Sequence, residues 1–492
     1  MKQAMNRVKN VLSVVAVLMV AVMMLSSIPA AGAGESQSPA GLISVDFSSG
    51  AGRIKAINGV NNGPARLGSH QADMVSRHKE AGFPSVRLHD CYWPNPTVVD
   101  VPAIFPLFHA DADDPKNYVF APTDRYLEPI AERGVQIVYR LGVSIEHMTA
   151  FQTQPPADYE KWAKICVNII RHYNDGWANG KRWGIKYFEI WNEPDIGGAM
   201  WQGTPQQYFE LYQVSVKALK AYNPELKIGN QVSYGTGKFA QQFLAYCRDQ
   251  KLPLDFFSWH QYLSAPSVFV GNARAVRSLL DTNGFNHVES FCTEWKPMLA
   301  GFGEVAWSPN KPAGSARAAF DRNRNHEAAA FAAATLMLMQ DAPLDMAHFY
   351  TADSSPWSMF DEYGVPGKVF FAFKAFHQLL QTPNRVTVTG LLGADALTLV
   401  AGLSDDRKTA ALLVSNYRWS QSRHSILLKN LPWTGKTRME SLQIDATHEL
   451  QPTDKVEYDP VTATLKLNML ESTVLFIRLS QSTEVGREAA GG

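Results

Sequence analysis

The sequence has little that would indicate a metal site, a redox centre or a nucleotide cofactor. Only four of its 492 residues are cysteines, and they form neither a C-x-x-C pair nor the Cys/His spacing of a metal site. It contains no H-E-x-x-H or H-x-H string and no glycine signature of a Rossmann or P-loop nucleotide site. We therefore expect no metal and no cofactor.

Charge is also scarce and balanced. Charged residues make up 19% of the chain, and 46 basic residues offset 46 acidic ones. Such a chain has no general electrostatic attraction for nucleic acid or for an anionic membrane surface. The expected partner is an uncharged or mixed substrate rather than a nucleic acid. The hydrophobic fraction of 46% is sufficient for a large globular core.

The few cysteines leave their pairing open. Cys91, Cys166, Cys247 and Cys292 are scattered among apolar neighbours. Export would permit disulfides, whereas a chain of this length can be stabilised by its core alone. Four isolated buried thiols and two bridges are therefore both compatible with the sequence.

Residues 1–33 have the pattern of an export signal, in which basic residues precede an apolar run from Val11 to Leu25 and a small-residue end at Ala31-Gly32-Ala33. The alternative is an uncleaved anchor, but a run of about 15 residues is shorter than the roughly 20 needed to span a bilayer. The pattern favours cleavage and export to the periplasm or the exterior. No later segment is long and apolar enough to predict a membrane span.

Across residues 55–382, short apolar β-type runs alternate with longer amphipathic stretches. Helical patterns run from Ala157 to Tyr173, from Pro205 to Tyr222 and from His326 to Gln340. This alternation is typical of parallel strands with crossover helices, and eight such units close into a (β/α)8 TIM barrel. The predicted strands are Ile57 to Val60, Ser85 to Leu88, Gln136 to Leu141, Tyr187 to Trp191, Lys227 to Gly229, Phe256 to His260, Val288 to Thr293 and Met346 to Tyr350.

After Pro383 the pattern changes to short alternating segments, which predict a smaller C-terminal antiparallel β-sandwich over residues 383–480. Part of the segment 34–54 also alternates and is expected to join that sandwich. The polar tail, residues 481–492, is predicted to be disordered. The predicted sandwich strands are Arg385 to Thr389, Ala396 to Gly402, Thr409 to Ser415, Ser425 to Lys429 and Ser472 to Leu479.

Two glutamates follow apolar runs at the ends of predicted barrel strands four and seven. Glu193 lies in Trp191-Asn192-Glu193-Pro194, and Glu294 lies in Thr293-Glu294-Trp295. The carboxyl ends of barrel strands form the active face, and retaining glycoside cleavage needs an acid and a carboxylate nucleophile about 5 Å apart. We predict Glu193 as general acid/base and Glu294 as nucleophile, although either could instead be a surface glutamate.

The two roles need different protonation states. An acid that protonates the leaving group must carry its proton when substrate binds, so the environment of Glu193 should raise its pKa. The negative charge of Glu294 is expected to be one cause, because a nearby carboxylate disfavours ionisation of the other. Glu294 itself should stay ionised.

The sequence resembles glycoside hydrolase family 39, which includes β-xylosidases, α-L-iduronidases and exopolysaccharide-degrading enzymes. The resemblance covers roughly residues 55 to 380 and rests on four strings with a weaker echo at Phe360 to Gly364. The four strings are Arg87-Leu88-His89-Asp90, Trp191-Asn192-Glu193-Pro194-Asp195, Asp255-Phe256-Phe257-Ser258-Trp259-His260-Gln261-Tyr262 and Thr293-Glu294-Trp295.

The resemblance implies substrate-binding roles for five further residues. Asn192 would bond the sugar 2-hydroxyl, a contact that strengthens in the transition state. Tyr262 would donate a hydrogen bond to Glu294, with His260 beside it, while His89 and Asp90 would reach sugar hydroxyls. Each could instead have only a packing role.

Aromatic and cationic residues at predicted loop positions suggest further contacts. Trp93, Trp201, Trp295 and Trp357 could stack on sugar rings or belong to the core, and Trp295 is favoured because it follows Glu294. A loop from Gly314 to Asn325 carries three arginines that could bind a uronate carboxylate or pair with neighbouring acids. These are Arg317, Arg322 and Arg324.

The two acids also bear on other classes of function. A non-catalytic carbohydrate-binding protein would lack one of the two acids, and both are present. The leading expectation is an exo-acting, β-xylosidase-like retaining hydrolase of an oligosaccharide or polysaccharide. The alternatives are endo-cleavage of a bacterial exopolysaccharide and action on a uronate-containing glycan. Oligomeric state is not predicted.

Overall fold

The computed structural model describes residues 42–64, 74–91, 95–146, 150–305, 311–312, 314–391, 393, 395–458 and 464–482. The predicted signal segment, residues 1–33, lies outside the described residues, as do Trp93 and residues 483–492 of the predicted tail. The described residues from Leu42 to Ser482 belong to a single compact unit.

The first described element is a long strand, β1 (Ile43–Arg53), and the chain then forms a closed barrel of eight parallel strands. The barrel closes because its first strand pairs with both its second and its last strand. Its strands are β2 (Gly59–Asn61), β3 (Ser85–Leu88), β4 (Gln136–Leu141), β5 (Tyr187–Ile190), β6 (Lys227–Val232), β7 (Phe256–Leu263), β8 (Glu289–Pro297) and β9 (Met346–Phe349). The predicted TIM barrel is confirmed, and β5 and β8 are its fourth and seventh strands.

Helices on the outside of the barrel bury the apolar strand faces. The longest, from Pro205 to Tyr222, begins where predicted because Thr204 and Gln207 form a reciprocal capping box and proline occupies the first turn. The helices are α1 (Val75–Ala81), α2 (Val101–Ile104), α3 (Ala121–Ala131), α4 (Tyr159–Asn174), α5 (Pro205–Tyr222), α6 (Lys238–Asp249), α7 (Pro266–Thr282), α8 (Phe302–Val305), α9 (Ser315–Arg322), α10 (His326–Leu338) and α11 (Lys368–Leu379), with short 3-10 turns at Pro115–Asn117 and Met339–Asp341.

A second, largely antiparallel sheet of nine strands follows the barrel and curls over its own hydrophobic core. It contains β1 and the strands β10 (Asn384–Thr389), β11 (Leu397–Leu403), β12 (Thr409–Asn416), β13 (Arg423–Lys429), β14 (Thr437–Ile444), β15 (Glu449–Tyr458), β16 (Thr464–Asn468) and β17 (Thr473–Gln481). This sheet is the predicted C-terminal sandwich.

The strand β1 lies inside this sheet, between β10 and β13. It pairs antiparallel with β10 and parallel with β13. Ile43, Val45 and Phe47 on alternate positions are buried in the second core, as the period of a strand requires. At the C-terminal end of the described chain, β17 extends to Gln481 and so includes the first residue of the predicted tail.

The sheet packs against the barrel through α10, whose alanine-rich surface is buried throughout its middle. The Phe331 ring meets the Tyr417 ring edge-on at 5.4 Å between centroids. The Ser415 hydroxyl donates to the Ala330 carbonyl over 2.8 Å. A helix that is apolar on all sides is stable only when all its sides are buried. The second sheet buries the side of α10 that would otherwise face solvent.

The described residues also settle the state of the cysteines, because all four are buried and unbridged. Of the two arrangements left open by the sequence, isolated thiols are the one present. Among the described helices there is none with the length and apolar character of a membrane span.

Candidate active site

The site lies at the carboxyl ends of the barrel strands and begins with the turn after β5. Trp191 and Glu193 have φ angles of 68° and 40°, in the left-handed region that side chains with a Cβ rarely adopt. The Trp191 indole donates to the Met200 carbonyl over 2.7 Å and its backbone NH to Leu141 over 2.7 Å, which holds the turn. This strained backbone directs the Glu193 side chain into the barrel mouth.

Glu294 reaches the same space from β8. The pairing register between β7 and β8 shifts at this point, so that Trp259 faces Cys292 while His260 faces Glu294. Such a bulge re-aims the side chains that follow it. The Glu294 side chain is only 5% exposed, and that of Glu193 is 13% exposed.

The two carboxyl groups and the His260 ring form one close cluster. One oxygen of Glu193, one oxygen of Glu294 and a ring nitrogen of His260 all lie within 4.8 Å of one another. His260 Nδ1 is 2.6 Å from Glu193 Oε1 and 3.4 Å from Glu294 Oε2. Two carboxyl groups at this separation can act on the same bond from two sides.

Arg87 forms the floor of the site, and its guanidinium is completely buried. It donates to Glu189 Oε2 over 2.6 Å, to Glu294 Oε1 over 2.7 Å and to Asn192 Oδ1 over 2.7 Å. Charge-assisted bonds of this kind fix geometry as well as charge. One cation therefore sets the position of Glu294 and orients the Asn192 amide.

Tyr262 holds the other oxygen of Glu294. Its hydroxyl donates to Glu294 Oε2 in a short hydrogen bond. Each oxygen of Glu294 thus accepts one strong hydrogen bond and keeps a second lone pair that this bond does not use. The carboxylate is fixed without being blocked.

Burial raises the pKa of Glu193 from 4.5 to about 7, against the opposing effects of the Ser233 hydroxyl and the Arg87 charge, and the charge of Asp90 adds to the rise. Burial is thus the main cause of the raised pKa. The neighbouring charge that adds to it is that of Asp90, whereas the sequence predicted that of Glu294. Burial also raises the pKa of Glu294, and the Glu193 charge adds to that rise, while His260, Arg87 and the Tyr262 hydroxyl oppose it. The pKa of both carboxyl groups is thus raised, whereas the sequence predicted a raised pKa for Glu193 and an ionised Glu294.

The raised pKa of Glu193 makes a prediction about stability. Because the folded pKa lies above the unfolded value of 4.5, the protonated side chain stabilises the fold below pH 4.5, and this contribution is lost as pH rises through about 7. Glu193→Gln should therefore match the wild type near pH 4.5 and exceed its free energy of unfolding by up to about 3 kcal/mol near pH 8. Urea unfolding at both pH values measures this.

The control for that comparison is Glu471→Gln, at an exposed position in the turn between β16 and β17. It should change the free energy of unfolding little and equally at both pH values. A Glu193→Gln variant with the same stability difference at acidic and alkaline pH would contradict the raised pKa.

His89 and Asp90 follow β3 and border the same space. His89 Nε2 lies 3.4 Å from Asp90 Oδ2 and 4.0 Å from Glu294 Oε1, and its Nδ1 has no partner among the described residues. Asp90 accepts from the Ile145 backbone NH over 3.0 Å and from the Tyr350 hydroxyl over 3.1 Å. The predicted binding residues His89, Asp90, Asn192, His260 and Tyr262 are thus brought together.

The structure corrects the role predicted for Trp295. Its side chain is 1% exposed, stacks on Phe373 at 6.0 Å and meets Phe349 edge-on at 5.2 Å. Successive strand residues point to opposite faces, and since Glu294 points into the barrel, Trp295 points out to the helices. The prediction that Trp295 stacks on a sugar is wrong.

Trp357 lies nearer the site and is partly buried. Its ring centroid is 6.2 Å from that of Tyr350, which in turn contacts Asp90. The Lys296 ammonium lies 5.5 Å from the Trp357 ring centroid and donates to its carbonyl in a short bond. Trp201, by contrast, is buried against Trp191 at 5.0 Å and belongs to the core.

The cationic segment after barrel strand seven is not the predicted loop, because Ser315–Arg322 forms α9. Its arginines pair with acidic residues of the same segment and of α10. Arg317 and Arg324 bond Asp321 over 2.7 and 2.9 Å, and Arg322 bonds Glu327 over 3.0 Å. The pairing offered as the alternative to uronate binding is the one present.

Sequence reasoning missed several polar residues of the barrel interior. Arg87, Glu189 and Gln231 are all fully buried, and Asn61 Oδ1 accepts from Arg87 over 3.1 Å. A charged residue inside an otherwise apolar strand, as in Ser85–Leu88, is the signal that could have indicated them.

Two largely buried carboxyl groups at the carboxyl ends of parallel barrel strands are the arrangement that glycoside hydrolysis uses. Residues 62–380 match the model of glycosyl hydrolases family 39, and the chain belongs to this family. The family indicated by the four sequence motifs is confirmed.

Individual relatives are more distant. A β-xylosidase of Geobacillus stearothermophilus is 25% identical over 273 residues, which are 49% of this chain and 48% of that protein. A β-xylosidase of Caldicellulosiruptor saccharolyticus is 27% identical over 194 residues, or 37% of each chain. The chain therefore spans about half, or less, of the length of these curated relatives.

The solved structures extend the similarity over nearly the whole chain. A glucosidase from Croceicoccus marinus superposes with a TM-score of 0.76 at 26% identity, over 90% of this chain and 99% of that one. A monomeric β-xylosidase from Caulobacter crescentus CB15 superposes with a TM-score of 0.66 at 16% identity, over 90% of this chain and 99% of that one. The second likeness concerns the fold alone.

Proposed function

We propose that the protein is an exported, retaining exo-glycosidase of β-xylosidase-like specificity, with Glu193 as general acid/base and Glu294 as nucleophile. The observation that carries this proposal is the largely buried pair of carboxyl groups with an oxygen of each within 4.8 Å of the other. Retaining enzymes have carboxyl groups about 5 Å apart, whereas inverting enzymes leave room for a water between them.

In the first step, a Glu294 oxygen attacks the anomeric carbon and the glycosidic C–O bond breaks. The proton of Glu193 passes to the leaving oxygen, so the released group departs neutral. Arg87 and Tyr262 hold Glu294 for attack, and they also stabilise it when it is later expelled as a carboxylate. The pKa of about 7 at Glu193 suits a proton donor near neutral pH.

In the second step, Glu193, now ionised, removes a proton from a water molecule that attacks the same anomeric carbon. The sugar–Glu294 bond breaks and its electron pair returns to the carboxylate. Two inversions at one carbon give net retention.

The substrate class is argued from similarity. Two of the curated relatives are β-xylosidases, and the solved structure with the TM-score of 0.76 is a glucosidase. The small exposure of both carboxyl groups supports a site that accepts one end of a chain. The export signal predicted for residues 1–33 supports action outside the cytoplasm.

The test uses an aryl β-xyloside, an aryl β-glucoside and a xylo-oligosaccharide. Proton NMR of the first-formed sugar should show the β anomer before mutarotation, and the oligosaccharide should release monosaccharide from the start. Initial release of the α anomer would exclude retention. A mixture of longer products would favour the endo-acting alternative, and turnover restricted to uronate-containing glycans would favour the uronate alternative.

A further inference from the structure

Gln231, at the inner face of β6, has an amide group whose orientation is fixed by the backbone. Its side-chain oxygen accepts a short hydrogen bond from the Glu193 backbone NH. Its amide nitrogen donates to the Val232 carbonyl over 2.8 Å. Because one backbone partner can only donate and the other can only accept, the amide cannot be turned round.

This orientation decides what Gln231 presents to His260. The same amide nitrogen lies 2.6 Å from His260 Nε2. An amide nitrogen only donates, so His260 Nε2 must accept and carries no proton. The single proton of the neutral ring is then on Nδ1, which lies 2.6 Å from Glu193 Oε1 and 3.4 Å from Glu294 Oε2.

We propose that Gln231 is a positioning residue that keeps the His260 proton on Nδ1, where the ring donates it to Glu193 and leaves the acid proton of Glu193 on its other oxygen. The inference rests on the proposed function. With Oε1 of Glu193 occupied by an N–H, the catalytic proton resides on Oε2. The opposite tautomer would place a lone pair against Glu193 and draw the acid proton toward the imidazole ring.

The surroundings of His260 favour the neutral ring. Burial lowers the pKa of His260 from 6.5 to about 3, against the Glu294 charge and with the help of the Arg87 charge. The charged and titratable groups that face the ring are Glu193 and Glu189 from the β5 end, Glu294 from β8, Arg87 from β3 and His89 after it. Gln231, from β6, is the neutral group on the opposite side of the ring.

The same tautomer disfavours a metal ion at this cluster, although three potential metal-binding groups meet here. Glu193, His260 and Glu294 are close enough to surround a cation, but a metal would need a lone pair on the ring nitrogen that faces the carboxylates. The Gln231 amide directs an N–H there instead. The cluster is therefore a hydrogen-bonded unit.

The test is nitrogen NMR of the full chain with labelled histidine, in which the His260 signals are identified by their loss in His260→Asn. In the wild type, Nδ1 should be protonated and Nε2 unprotonated from about pH 5 to about pH 8. In Gln231→Glu, the substituted carboxylate accepts rather than donates, so Nε2 should gain a proton and the ring should become an imidazolium.

Kinetics provide a second readout with opposite signs in two backgrounds. The imidazolium in Gln231→Glu should lower the Glu193 pKa and move the alkaline limb of kcat/KM down by about one unit, which is about a tenfold loss on that limb. In the Gln231→Glu, His260→Asn double variant, no ring can take up the proton. The added negative charge alone should then move the limb upward.

A wild-type ring protonated on Nε2 would overturn the proposal, and so would a ring that keeps its tautomer in Gln231→Glu. The wild-type measurement decides this even if the variant does not fold. The expected NMR result without any glycosidase activity would instead refute the proposed function and leave the tautomer assignment intact.

Discussion

Replacing Glu294 with alanine is expected to lower kcat by about 10⁵-fold or more for every leaving group, because no other described side chain can form the covalent intermediate. Arg87 would lose one partner but keep its bond to Glu189, so the variant should remain folded. The measurement is turnover of an aryl glycoside with an activated leaving group, followed with and without azide.

In this variant azide can enter the space that the carboxylate vacates and attack the anomeric carbon directly. A single displacement gives the inverted sugar azide. The matched control is Glu289→Ala, at the opposite end of the same strand, which should retain near-wild-type turnover. Substantial activity of Glu294→Ala, or a retained azide product from it, would show that another group is the nucleophile.

The barrel was predictable because its strands are short apolar runs bounded by clear helical patterns. Ser85–Leu88 and Gln136–Leu141 have the bounds expected from sequence. The strands of the second sheet were less predictable. The strands β14, β15 and β16 were not expected, since in Thr437–Ile444 buried and exposed residues do not alternate regularly, so the period of two is obscured.

The two glutamates were predictable because each follows a recognisable strand, but their neighbours depend on distances across the barrel. Arg87 and Gln231 contact partners on other strands, and one sequence does not reveal which polar residues share an interior layer. Trp295 was misassigned for a local reason. Adjacency to Glu294 along the chain suggested adjacency in space, whereas the alternation of β8 separates them.

Replacing Glu193 with alanine is expected to affect substrates unequally. For a natural sugar leaving group, loss of the proton donor should lower kcat/KM by about 10²- to 10⁴-fold. For an aryl group that needs no protonation, the first step should be nearly unchanged and the second step slow, so that the glycosyl-enzyme accumulates and a burst of aryl product precedes steady turnover. Stopped-flow absorbance measures both phases.

Azide again distinguishes the roles, now with the opposite stereochemistry. Without the carboxylate of Glu193, azide can approach the covalent intermediate and attack the anomeric carbon in place of water, since it needs no base to remove a proton. The steady rate should rise with azide concentration, and a β-glycoside should give the β-azide because two displacements have occurred. The backbone NH of residue 193 still bonds Gln231 in this variant, so the turn should persist. If azide neither accelerates the steady rate nor appears in a β-configured product, or if natural substrates react as fast as in the wild type, then Glu193 is not the acid/base.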